Sequence, residues 1–295
     1  DGRTALHYAA EIGYKDVVSL LISSQANINE GDQYLETPLH CSVRKRCKVV
    51  VSLLISAEAK VNQEDKSKET PLHIAAWNGD KHLVSLLISA GANVNHGDKR
   101  GVSQGSYFIL PNTPLQCAAA KGHYDVALLL ISSGAHVNQN GGYEKKTPLH
   151  YAADYGHKGV VSLLISAGAN VNQCDRVLNN QNEEIFYDEN KTPIHYAIQF
   201  GHIDVVSLLI PAGANLNQVD DQNERMPHND MSPLHYAAEK GHENIVSLLI
   251  SAGANFNQED QIKKKPLHYA VEKGHGNIVL LLISAGANVN QEDEV

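Results

Sequence analysis

A Thr-Pro-Leu-His tetrapeptide, or a close variant of it, recurs eight times along the 295 residues, and this recurrence restricts the possible folds more than any other feature. The copies open at Thr4, Thr37, Thr70, Thr113, Thr147, Thr192, Ser232 and Lys265, with successive spacings of 33, 33, 43, 34, 45, 40 and 33 residues. Most blocks close in Gly-Ala-Asn-Val-Asn or a variant of it. A fixed period of about 33 residues means a row of similar units stacked on one another, with the extra residues carried as insertions.

The third block shows what one unit is. Thr70 is placed to cap a helix with its hydroxyl, Pro71 presets φ at the first helical position, and Leu72, Ala75 and Ala76 form an apolar stripe. Asn78-Gly79 ends that helix. A second helical pattern follows from Leu83 to Ile88, and Gly91 stands where a left-handed C-terminal cap is wanted. Each unit is thus predicted to be a helix-turn-helix followed by a projecting turn. Its few aliphatic side chains do not offset the entropy of ordering the whole unit, so neighbours must share a core.

These blocks resemble ankyrin repeats over nearly the whole chain. His150-Tyr151-Ala152-Ala153, Gly156-His157, Val160 to Ile165 and Gly168-Ala169-Asn170-Val171-Asn172 follow the family pattern almost position by position. The resemblance implies an all-α solenoid with β-hairpin-like projecting turns, in one domain over residues 1–295. The repeats then fall at about 1–31, 32–64, 65–97, 98–141, 142–174, 175–219, 220–259 and 260–295. Gln25, Arg46 and Glu58 replace helix-ending glycines. If they keep φ > 0 each costs up to about 1 kcal/mol, which predicts a looser N-terminal end. Pro211 is expected to end its helix early. Asn95, Asn172 and Asn290 resemble turn asparagines that an intracellular hydroxylase modifies in other ankyrin proteins.

Composition narrows the partners. With 24 Lys and Arg against 33 Asp and Glu the formal charge is −9, which argues against nucleic acid or an anionic membrane as the main partner. The apolar runs are too short to insert into a membrane, and the first residues do not read as a signal peptide. Cys41, Cys47, Cys117 and Cys174 lack Cys-x-x-Cys spacing, and Cys41 and Cys117 share one repeat position as small core fillers. A reducing compartment is expected, the cytoplasm with the nucleus as a second location. The end repeats lack the polar outer face of true caps, so the chain is expected to belong to a longer array.

Chemistry-bearing motifs are sparse. Of 16 histidines, most occupy the fourth position of the tetrapeptide or follow the helix-ending glycine, which marks them as structural parts of the repeat and not metal ligands. No phosphate loop, nucleophile elbow or paired-carboxylate motif stands out, so no enzyme activity, cofactor or metal is expected.

Recognition is left, and the variable positions carry it. In ankyrin-like arrays the residues after the Ala-Ala pair face a concave groove. Here they include Arg44, Lys45, Trp77, Asn78, Lys121, Tyr155 and Phe200, aromatic in the middle and charged towards the ends. Aromatic anchors inside a charged rim are the usual energetic centre of an interface. Insertions 101–112, 176–190 and 221–230 fall in projecting turns, and the first two carry Tyr107, Phe108, Phe186 and Tyr187. The expected function is non-catalytic protein binding through the groove and finger loops around repeats three to six. The alternative is an architectural spacer, or a surface docking on other domains of the same parent chain.

Overall fold

The tetrapeptide starts a helix in every repeat. In the computed structural model, which describes residues 1–97, 113–141, 145–175, 190–220 and 230–290, the residue before Pro is extended and the helix begins at the next position. Thr70, for example, has φ −102 and ψ 164, and α5 starts at Pro71. Proline fits there because its missing N–H has no partner in the first turn of a helix.

Two compact units emerge. The first, residues 1–142, holds α1 (Ala5–Ile12), α2 (Lys15–Ser23), α3 (Pro38–Arg44), α4 (Lys48–Ser56), α5 (Pro71–Trp77), α6 (Lys81–Ser89), α7 (Pro114–Ala120) and α8 (Tyr124–Ser132). The second, residues 143–295, holds α9 (Pro148–Asp154), α10 (Lys158–Ser166), α11 (Pro193–Gln199), α12 (Ile203–Leu209), α13 (Pro233–Lys240), α14 (Glu243–Ser251), α15 (Pro266–Glu272) and α16 (Gly276–Ser284). Within each unit, the first helix of a repeat packs on its own second helix and on the first helix of the next repeat. Second helices likewise pack on second helices.

Small and branched apolar residues make this stacking close. In the third repeat Leu72, Ala75, Ala76, Leu83, Val84 and Leu87 are fully buried. The alanines let first helices approach, and the aliphatic side chains fill the layer behind them. Cys41 and Cys117 are buried at one repeat position, in agreement with their reading as core fillers. A second tie runs along the turns: Asn29, Asn62, Asn95, Asn172, Asn217 and Asn257 each accept, on Oδ1, a backbone N–H of the next repeat.

Helix ends follow the sequence closely. Gln25, Arg46 and Glu58 do hold φ > 0, at 63°, 59° and 67°. Pro211 shortens α12 to 7 residues where the other second helices have 9, because proline cannot donate to the preceding turn. The capping expectation gains one detail. The Thr113 hydroxyl accepts from the Gln116 N–H, and in the other repeats with a Thr or Ser cap the capping box forms with a histidine three residues on, whose ring nitrogen shares the hydroxyl. The imidazole serves as the acceptor for the buried N–H of the cap residue itself.

The helix-ending glycines are required for two different reasons. A Cβ at Gly156, φ 71°, would lie 2.6 Å from Nδ1 of His202 in the following repeat. At Gly168, φ 86°, it would meet nothing within 4 Å. The second repeat can hold Arg46 because the residue at the pressing position of the next repeat is Asp80, where the fourth to eighth repeats carry the histidine. Gly168→Ala is therefore expected to cost about 1 kcal/mol and Gly156→Ala roughly 1–3 kcal/mol more. Glu58→Gly should gain up to about 1 kcal/mol. Urea midpoints of the three variants check the order.

Candidate recognition surface

One polar pattern recurs at the ends of the first helices. In five repeats the residue just ahead of the cap meets the residue eight positions on, at or just before the helix C-terminus. Arg3 pairs with Glu11 at 2.6 Å, Arg44 with Glu36, Lys146 with Asp154 at 3.8 Å, and Lys264 with Glu272; Lys191 donates to Gln199 at 3.3 Å. The sign of the pair reverses between repeats while its place is kept. The sequence shows these residues but gives no reason to join them, since residues eight apart lie about 12 Å from one another along a helix and further along a strand.

The basic residues of the second repeat sit inside this pattern. Arg44 and Lys45 line a polar cleft of about 340 Å³ together with Arg3, Glu11, Glu36 and Cys41. Arg44 is met by Glu36, and Lys45 by Glu11 at 3.3 Å. The Arg3 guanidinium holds the Glu11 carboxyl below the usual carboxylate range. Asn78 is half-buried; its amide reaches the Arg44 carbonyl at 3.5 Å, and its own carbonyl accepts from Arg46. Trp77, also half-buried, carries the Lys121 ammonium 4.1 Å from its ring centre. The first unit thus brings Arg44 to Asn78, and Lys121 to Trp77.

In the second unit Tyr155 and Phe200 are 58% and 54% exposed, well outside the core. Each lies against a histidine of its own repeat: His157 at 6.2 Å and His202 at 6.3 Å between ring centres. Tyr107, Phe108, Phe186 and Tyr187 lie outside the described residues. Inside the same unit Tyr196, Tyr236 and Tyr269 donate their hydroxyls to Asp175, Asp220 and Asp260 at the bases of the finger turns. The Lys146 ammonium lies 4.4 Å from the Tyr196 ring centre and that of Lys191 5.4 Å from the Tyr236 ring. These Tyr, Asp and Lys partnerships were not legible in the sequence, where each tyrosine reads only as a core position.

Beneath this surface runs a row of buried imidazoles. The Thr70 N–H donates to His73 Nδ1 at 3.1 Å, with the hydroxyl 2.9 Å from the same nitrogen. On the other side of the ring, Nε2–H of His40, His150, His195 and His235 donates to the carbonyls of Glu69, Lys191, Gln218 and Lys264. Burial pushes the pKa of His40, His195 and His235 down to about 4 and that of His150 to about 3. They are structural, as their repeat position implied. Among the described residues no group of three His, Cys, Asp or Glu is placed to hold a metal ion.

The family model for ankyrin repeats (three copies) matches residues 1–65, 32–98, 50–140, 72–175, 144–220 and 219–293. The chain belongs to the ankyrin-repeat family. It is an all-α solenoid, and repeats of this family are in general protein-protein interaction modules, typically non-catalytic scaffolds. Among solved structures it is similar to the human ASB11 ankyrin repeat domain, with a TM-score of 0.65 and 24% identity, covering 84% of this chain and 98% of that one. That likeness concerns the fold alone. No curated protein sequence matches the chain. No described helix is long and apolar enough to cross a membrane.

The imidazole row gives the ankyrin stack a direction of pH dependence. As pH falls from about 6.5 towards 4, the unfolded chain takes up protons at His40, His150, His195 and His235 while the folded chain does not. Burial raises Glu69 and Asp220 to about 7, so these two act in the opposite sense. Burial also lowers His242 and raises Asp65, so five groups outweigh three, and stability is expected to fall between pH 6.5 and 4. Gln116 already replaces the imidazole in the fourth repeat: Thr113 N–H donates to its Oε1 at 2.9 Å and its Nε2 donates to the Gln139 carbonyl at 3.1 Å. His150→Gln should therefore stay within about 1 kcal/mol of the parent at pH 7. It should also lose less stability than the parent on going to pH 5, as read from urea midpoints at both pH values.

Proposed function

We propose that the chain is a non-catalytic recognition module that holds a protein partner on the exposed ends of its first helices and on its finger turns. Arg44, Lys45, Trp77, Asn78 and Lys121 serve in the first unit, and Tyr155 and Phe200 in the second. The exposed rings of Tyr155 and Phe200 carry this reading: more than half their surface faces water at a position that differs from repeat to repeat, while the helices beneath hardly vary. Leaving large aromatic area in water costs hydrophobic free energy that docking returns, and such residues dominate binding at most interfaces.

The insertion aromatics Tyr107, Phe108, Phe186 and Tyr187 belong to the same proposal, as finger residues that extend the contact. The partner is a peptide segment or a folded domain in the same reducing compartment, and neither nucleic acid nor a membrane suits a chain of formal charge −9. The spacer reading predicts no partner of its own for this surface. Affinity capture from a source lysate with the parent chain beside a Trp77→Ala, Tyr155→Ala, Phe200→Ala variant of equal thermal stability separates the two. Loss of a dominant partner with the variant is the expected result. An unchanged set of partners would remove these three residues from the site, and no partner with either protein would favour the spacer.

A further inference from the structure

The third repeat lacks the charge pair that the first, second, fifth and eighth repeats keep. Glu69 stands just ahead of the Thr70 cap, at the position of Arg3, Glu36, Lys146, Lys191 and Lys264. Eight residues on, where Glu36 finds Arg44, the chain has Trp77. Met231 and Glu239 also form no pair, but Glu239 is met by Lys240 at 3.1 Å and by Lys273 at 3.8 Å. Glu69 alone keeps a carboxylate at this position with no cation or donor in hydrogen-bonding reach among the described residues, although Arg44, Asp65, Glu36 and the buried Cys117 thiol lie close enough to act on it or feel its charge.

The array also shows how the vacancy can be filled. In the second repeat an arginine occupies the position facing the carboxylate. In the third, the residue at that position is an indole that already draws a cation: Lys121 Nζ lies over it at 4.1 Å. No carboxylate pairs with Lys121 among the described residues, and the side chain is exposed, so it yields to a competing cation. A carboxylate and an indole at adjacent positions offer charge on one side and a π-face on the other. Guanidinium satisfies both, through two parallel N–H donors and a flat face.

We propose that Glu69 and Trp77 form a receptor for one arginine side chain carried by an extended basic segment of the partner. The partner's arginine supplies the cation that the second repeat supplies to itself with Arg44. This deepens the reading that the first unit's helix ends take a protein partner, and it assigns that partner a charge opposite to the chain's own −9.

Trp77 is the only tryptophan, so emission excited at wavelengths that tyrosine does not absorb reports on this place alone. Because burial raises Glu69 to about 7, the titrations are run well above that pH, where its carboxylate is ionised; hexa-arginine is then expected to give a saturable change in Trp77 emission, and hexa-citrulline, isosteric and neutral, none. Glu69→Gln should weaken hexa-arginine by about fivefold or more, whereas Glu58→Gln, an exposed carboxylate elsewhere in the unit, should change it less than about twofold. Trp77→Arg, which restores the ion pair of the second repeat and so stays compatible with the fold, should abolish the Glu69-dependent part of binding, read by anisotropy of labelled hexa-arginine. Equal weakening by the Glu69 and Glu58 variants would reduce the effect to general attraction and overturn the proposal. So would binding that leaves Trp77 emission unchanged, or binding that survives Trp77→Arg in full. None of these results bears on partner capture by Tyr155 and Phe200, so the broader recognition reading stands or falls separately.

Discussion

Everything in this array depends on the imidazole that links a helix start to the next finger turn. A helix seven residues long leaves most of its first N–H groups without internal partners, and such a short helix is unstable alone. His40, His150, His195 and His235 answer both problems. One ring nitrogen accepts from the cap of the same repeat, and the other donates across to the turn that leads onward. That bridge works only with a neutral ring, and burial keeps it neutral by making the charged form expensive. The repeat therefore carries its own acid sensitivity as a by-product of its cohesion.

Once the stack is set in this way, the remaining positions divide by where they face. Alanine and branched aliphatic residues are confined to the layer between helices, where a lost or added methyl group is felt by the adjacent repeat. The residues before the cap and at the helix end are released from that duty. In four repeats they neutralise one another, with the signs exchanged between the first and second. This freedom lets one repeat carry Glu and Trp in place of an ion pair, and lets others present Tyr155 or Phe200 to water.

Much of the fold was legible because the repeat states each rule eight times. Thr-Pro at the helix start, the glycine exits and the shortening of α12 at Pro211 are local consequences of backbone geometry, and Gln25, Arg46 and Glu58 hold the positive φ that their positions imply. The threonine cap was legible, but its sharing with a histidine three residues on was not, because propensity alone does not reveal that contact. At the surface, Trp77, Tyr155 and Phe200 were visible as departures from the pattern. Glu69, Glu36 and the lysines over the tyrosines were not, because their meaning lies in what they approach in space.

The sequence by itself determined the unit, its length, its stacking and the family to which the chain belongs, since a period of 33 residues with one apolar stripe per helix has few ways to bury its surface. Only the tertiary structure decided which charges are spent inside the array and which are left over. Arg44 and Lys45 stand side by side in the sequence as two basic groove residues, yet Glu36 and Glu11 meet them, while Glu69, which opens the same Glu-Thr-Pro-Leu-His run as Glu36, is met by no cation among the described residues. Electrostatic pairing is a matter of distance between side chains. Residues eight positions apart become neighbours only when the chain has turned from its finger into its helix.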